Sequence, residues 1–503
     1  MKTVKRIACL LLCTAMLSGC TKPAPNAPNV PLPPASAAPE APIGDAGLQQ
    51  EAIAALHLPS QDGQTLLTFY EPLLLTRDQH PAQAVLQSLL THPGNNRVRP
   101  IAGAVALSLY GANPVEISGS LCTVNLSASA LSLSSQELYT AALAIAATLC
   151  ELDDVDYVNL LVAGRPVAMD VGGNLPLGLL TTPPAQELPV LWEQMAARRT
   201  PVGELPAQTP LTAAAALYFP LADGTGIAAE ARRIAFPGQH PQQQVIALLS
   251  ALSSGADALA GVPDMPDLNA MLLFKPEVTD LESGGRRVTL HFTADVKERM
   301  SAAGCDPACM FAAITTTLTS FVPSLHQVCI LMGDGALTSL YSPTLGSQLF
   351  PGALMTRSSF IQTLMGQTTV YIPDSNQLAA STLSLPYRSV TNPRAVLLAM
   401  ATPAVGAIPE GLTDADILGL SVQGDTLLVN FSARYADMIR QSGMEQRLMV
   451  YAMVNTLCEM LEVRRVRFFF AGEQLPDLGS SVAWDGEFLY HPALIFQSPG
   501  GTP

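Results

Sequence analysis

The sequence is poor in charge and in aromatic rings. Of 503 residues, 13% are Asp, Glu, Lys or Arg and 6% are Phe, Trp or Tyr, with only two tryptophans. Acids outnumber bases 41 to 26, and no Lys/Arg cluster occurs outside the first residues. The net charge of −15 opposes binding to nucleic acid or an anionic membrane face, which both need positive potential. No HExxH, GxSxG, P-loop or CxxC pattern is present. After residue 20 there are six cysteines: Cys122, Cys150, Cys305, Cys309, Cys329 and Cys458. That is too few over this length for a disulfide scaffold, and their pairing stays open. Apolar residues make up 49%, enough for packed cores, and the length suits roughly three or four domains.

The first twenty residues read MKTVKRIACLLLCTAMLSGC. Lys2, Lys5 and Arg6 precede a short apolar run, Ile7 to Leu17, which is an export signal too short to span a membrane. LSGC resembles a bacterial lipobox, which implies lipidation of Cys20 and an anchor on the extracytoplasmic face of the cell membrane. Loss of residues 1–19 removes three positive charges, taking −15 to −18. No later run of eighteen uninterrupted apolar residues offers another anchor. The Pro/Ala-rich stretch that follows Cys20 reads as an extended tether.

The rest of the chain repeats itself at a spacing of roughly 150 residues. A Thr-Leu pair at Thr148, Thr317 and Thr456 is followed sixteen residues on by Gly164, Gly333 and Gly472. Upstream lie the triplets NLS from Asn125, HFT from His291 and NFS from Asn430, each six residues after Gly119, Gly285 or Gly424. Each copy also has a Tyr-x-Pro at Tyr70, Tyr218 or Tyr371. A His/Asn-Pro helix start follows at His80, His240 and Asn392. The helix before each Thr-Leu carries an apolar stripe: Leu138, Ala141, Ala142, Ile145 and Leu149 in the first copy. Met310, Phe311, Ile314 and Leu318 match it in the second, and Met449, Val450, Met453 and Leu457 in the third.

The expected fold is α+β: three tandem β-α-β-β-α-β modules, each a small mixed or antiparallel sheet with two helices on one face. Expected bounds are a signal peptide 1–19, a tether 20–63, modules 64–180, 212–345 and 366–491, linkers 181–211 and 346–365, and a tail 492–503. In the first linker, LPVLWEQMAARR has the pattern of an amphipathic helix that docks on a neighbour.

Chemistry-bearing residues cluster once, where Cys150 precedes Asp153, Asp154 and Asp156. The matching positions are Thr319, Val322, Pro323 and Leu325 in the second copy, and Cys458, Leu461, Glu462 and Arg464 in the third. The scaffold recurs without the chemistry, so these residues read as a small buried thiol and solvated turn acids. Cys305 and Cys309, in CDPAC, have no His/Cys partner group and read as structural. His57, His80, His92, His240, His291, His326 and His491 are scattered. We expect no catalytic residue, cofactor or metal.

The ordered set of Tyr-x-Pro, helix, hairpin ending near NFS, helix with Thr-Leu and strand ending in Gly resembles the GerMN domain family of sporulation and spore germination lipoproteins. That family is similar to ring-building-motif domains. The resemblance implies a non-enzymatic assembly role in the envelope, through other envelope proteins or self-association, with no nucleic acid partner. This chain departs from it with a short first loop, only eleven residues from Tyr70 to Pro81 against twenty-three and twenty-two in the other copies. The alternative is an exported ligand-binding protein, for cell-wall glycan or a small molecule, with sites in interdomain clefts. The scarcity of aromatics, which form sugar platforms, weighs against glycan.

Overall fold

The computed structural model describes residues 39–78, 80–282 and 284–496; Cys20 lies outside them. The described residues from 41 onward form one compact unit. Three stretches of it carry the same order of elements. Each opens with a long two-stranded antiparallel ribbon: Gln49–Pro59 with Leu66–Thr76, Leu211–Pro220 with Ile227–Phe236, and Met365–Asp374 with Gln377–Pro386. A helix follows, Ala82–Thr91, Pro241–Ser253 or Pro393–Met400. His80, His240 and Asn392 cap these helices, each side chain accepting a backbone N–H of the first turn.

The small sheet comes next. In the first stretch Val115–Ser118 and Leu121–Leu126 form a hairpin, and Tyr157–Val162 lies parallel to Leu121–Leu126. A parallel neighbour needs a long crossover, which helix Ser135–Leu149 provides. Helix Pro307–Phe321 connects Arg286–Phe292 to Leu325–Met332, and helix Gln446–Leu461 connects Thr426–Phe431 to Arg465–Phe470, again with parallel pairing. Every residue of the three predicted helix stripes is buried. The second and third stretches insert one more helix after the triplet, Val296–Ala302 and Ala433–Gln441.

Two hydrogen bonds explain why the repeated motifs recur. The hydroxyls of Thr148, Thr317 and Thr456, all buried, accept the backbone N–H of His57, Tyr218 and Tyr371 at 2.9, 2.9 and 3.0 Å. Each ties the crossover helix to the ribbon and satisfies an N–H that would be costly to bury unpaired. Asn125 and Asn430 accept the N–H of Gly164 and Gly472 at 2.8 and 3.0 Å, and His291 bonds to the Gly333 carbonyl. Ala163-Gly164 and Ala471-Gly472 both have positive φ, which makes the tight turn that ends the parallel strand.

These contacts correct the expected element order. Each stretch begins with a two-stranded ribbon, so one strand was missed each time. In the first stretch the counterpart of Tyr218-Phe219-Pro220 is His57-Leu58-Pro59, whereas Tyr70 lies on the second ribbon strand. This accounts for the short first loop. The first ribbon therefore lies partly before residue 63, within the segment expected as a tether. Gly44–Gly47 pairs in parallel with Ile417–Gln423, and Asp45 forms an ion pair with Arg394 at 2.8 Å. A side chain on Gly47 or Gly419 would collide with Ser421 or with the backbone at Pro42, so glycine allows this approach. The segments expected as linkers are packed. Helix Leu188–Ala196 buries Leu188, Leu191 and Met195, and Phe350, Arg357 and Phe360 are buried in the second.

Two cores result. One runs without a break from Leu56 to Tyr387 through the first two stretches and their join. The other holds Leu48 and residues from Val370 to Leu494. The core of 212–345 is thus continuous with that of the first stretch, whereas the core of 366–491 is separate from it and also takes in Leu48 and Leu494.

Candidate functional site

The Cys150–Asp156 stretch forms the end of a helix and the turn after it. Cys150 ends helix Ser135–Leu149 and donates its thiol to the Asp156 carbonyl at 3.6 Å. Burial pushes its pKa up to about 11, so the thiol stays protonated at neutral pH. Burial pushes Cys305 to about 11 and Cys309 to about 12, and all six cysteines among the described residues are free. Asp153 and Asp154 are exposed. Among the described residues no group of three or more His, Cys, Asp or Glu side chains could hold a metal. Asp153→Asn with Asp154→Asn is therefore expected to shift stability by no more than about 0.5 kcal/mol per site. Thermal unfolding of the full chain with and without added calcium or zinc checks this. A metal-dependent rise in Tm that the double substitution abolishes would identify a metal site.

The histidines serve the scaffold. His92 Nδ1 accepts the Gly94 N–H at 3.0 Å, His57 Nε2 lies 3.2 Å from Glu151 Oε1, and the His491 backbone N–H donates to Asn455. Burial lowers the pKa of His326.

His80 stands apart. Cavities of about 440, 370 and 310 Å³ all border it, forming a groove between the first and third stretches. The largest is lined by His80 and Asp154 on one side and by Gln367, Thr369, Glu459 and Glu462 on the other. His80 Nε2 is buried with no hydrogen-bond partner among the described residues. Burial lowers its pKa, with Asp154 working against this. Among the described residues, three carboxylates and no lysine or arginine line this space. At the edge, Arg77 donates to the Leu461 carbonyl at 2.6 Å.

A second polar cluster was not legible in the sequence. Arg357, from the expected linker, is buried in an ion pair with Glu116 of the first stretch. It also donates to Tyr218 Oη at 2.9 Å and to Ser320 Oγ, both in the second stretch. Burial works against its charge and Glu116 more than offsets this, so the guanidinium stays charged. No local pattern marks Arg357, whose partners are up to 241 residues away.

The Thr-to-ribbon bond and the Asn-to-Gly bond occur together in the first and third stretches, and the family match falls on the same two regions. Both match the Germane family. Its description is sporulation and spore germination, and the matched residues are 56–168 and 368–476, under half of the chain. The Germane match begins at Leu56, within the first ribbon strand. Among solved structures, the tandem GerMN domains of the sporulation protein GerM from Bacillus subtilis align at 19% identity and a TM-score of 0.21, over 57% of this chain and 92% of that one. A lipoprotein from Clostridium perfringens aligns at 18% identity and a TM-score of 0.18, over 27% and 91%. No curated protein matches. Among the described residues no helix is long and apolar enough to cross a membrane.

Proposed function

We propose that this is a lipid-anchored assembly protein on the extracytoplasmic face of the cell membrane, built from three copies of a GerMN-like module. It scaffolds an envelope complex linked to sporulation or germination, through envelope proteins or self-association. The observation that carries the module reading is the threonine hydroxyl bonded to the ribbon N–H at the same place in all three stretches, the outer two of which match the Germane family. The resemblance of LSGC, ending at Cys20, to a lipobox supports the anchor. The glycan alternative draws little support. Trp484 is fully buried, Trp192 sits beside Arg199, and no Phe, Tyr or Trp lines the 440 Å³ cavity.

Cys20→Ala is expected to release the protein from the membrane fraction or leave it unprocessed, and to lower the yield of heat-resistant or germination-competent spores in the host. Wild-type fractionation with a mature-length N-terminus would overturn the anchor. Wild-type spore yield in a strain lacking the protein would overturn the link to sporulation.

A further inference from the structure

Two short segments join the third stretch to the rest of the chain. Residues 364–366 lead into its ribbon, where Tyr387 donates its backbone N–H to the Leu364 carbonyl at 3.1 Å. The other is the segment 42–48. Gly44–Gly47 lies along the edge strand Ile417–Gln423 of the third stretch, and Leu48 is buried in that stretch's core. Gln49, the next residue, opens the first ribbon and pairs with Thr76. Between Leu48 and Leu56 the chain thus passes from one core to the other.

A polar catch holds this segment in place. Arg394 donates Nη2 and Nε to the two carboxylate oxygens of Asp45 at 2.8 and 2.9 Å, and the Leu420 N–H donates to the same carboxylate at 3.1 Å. Asn430 Nδ2 donates to the Pro42 carbonyl at 3.0 Å. The rest of the segment adds little. Ile43 is 91% exposed, Gly44 and Ala46 are exposed, and the strand pairing is interrupted between Gly44 and Gly47. A partly exposed ion pair and one buried leucine cover far less apolar surface than either core does. Beyond the segment, the first and third stretches face each other across the cavities that border His80. Arg77 to the Leu461 carbonyl, Arg388 to the Ala112 carbonyl and Ser118 to the Met365 carbonyl bridge them.

We propose that residues 42–48 are a releasable clasp. Bound to Ile417–Gln423, the clasp closes the third stretch on the first. Released, it lets the third stretch turn about residues 364–366, which widens the His80 groove and bares a strand edge. Gly44–Gly47 is the first strand among the described residues, and in sequence it follows the Pro/Ala-rich stretch expected as the tether. A pull along that stretch reaches the clasp before it reaches either core. This use of the clasp rests on the lipid-anchor reading; the clasp itself does not.

The test uses the full chain with Gly47→Val. A side chain at 47 meets Ser421 Cβ at 2.5 Å, too close for the segment to stay on the edge. His80 Nε2 is buried in the closed form, so modification of His80 by diethyl pyrocarbonate reports opening. Labelling of His80 is expected at least tenfold faster in Gly47→Val than in wild type. The exposed His240, at the matching helix start of the second stretch, should be unchanged. Asp45→Asn keeps the shape, removes the charge that faces Arg394, and should act in the same direction by at least threefold. Helix Gln446–Leu461 should keep wild-type hydrogen-exchange protection in both variants. The peptide acetyl-Ala-Pro-Ile-Gly-Asp-Ala-Gly-Leu-Gln-amide, the sequence of residues 41–49, should bind Gly47→Val at least tenfold tighter than wild type, whose edge is occupied. It should not slow His80 labelling, because it is not joined to the first ribbon. Wild-type labelling of His80 in both variants would show that the groove stays shut without the segment and overturn the clasp. Lost protection in helix Gln446–Leu461 would make the segment an integral part of the third stretch and overturn it equally. Equal peptide binding to variant and wild type would overturn the masking of the edge. A clasp that meets these expectations while Cys20→Ala fractionates as wild type would stand without its coupling to a tether.

Discussion

Ile145→Asp is expected to unfold the first two stretches together while the third keeps its structure. Ile145 is fully buried on helix Ser135–Leu149, at the place that Ile314 and Met453 occupy in the other stretches. A carboxylate there has no partner and loses its hydration, a cost of several kcal/mol against a typical total of about 5–15 kcal/mol. The damage should spread because the core around Ile145 is continuous through Phe236, Phe321 and Phe360. The third stretch, with Leu420, Met453 and Phe468 in a separate core, should be spared. Hydrogen exchange of the full chain resolves the two. Protection should vanish in the first two stretches and persist in helix Gln446–Leu461. Loss of protection everywhere in one step, or wild-type protection throughout, would show that the two cores do not act separately.

Arg357→Met should have the next largest effect, about 3–5 kcal/mol, the usual cost of removing one member of a buried ion pair. Arg357 and Glu116 are 8% and 9% exposed, and Arg357 Nε lies 3.1 Å from Glu116 Oε2. Without the guanidinium, the buried Glu116 carboxyl is left without its partner, and Tyr218 Oη and Ser320 Oγ each lose a donor. Adding Glu116→Gln removes the stranded carboxyl and should recover more than half of the loss. Urea unfolding of wild type, both single variants and the double variant measures this coupling. Additive single effects would mean that the pair does not join the first stretch to the second.

The same pair marks the limit of what could be read along the chain. Elements whose signal is local were legible. The helix stripes, the Pro-started helices, the glycine turns and the return of Thr-Leu and its glycine all depend on spacings of a few residues that recur three times. The docking of LPVLWEQMAARR was legible for the same reason, since Leu188, Leu191 and Met195 fall on one helical face. The missed ribbon strands left a local trace as well. The offset of eleven residues from Tyr70 to Pro81 signalled that Tyr70-Glu71-Pro72 was the wrong counterpart, and His57-Leu58-Pro59 was available as the right one.

The sequence by itself thus determined the repeat, the alternation of helices and strands within it, and the residues that face each core, because propensity and periodicity act over one or two turns of chain. Tertiary structure alone decided that GDAG at 44–47 would become a strand, since four such residues have little β-propensity and gain it from the open edge of Ile417–Gln423. It also decided that Arg357 and Glu116 would share a buried site, and that His80, Asp154 and Glu459 would border one groove. Those meetings depend on how separate stretches pack, and the free energy of packing belongs to surfaces brought together from hundreds of residues apart, which no local pattern encodes.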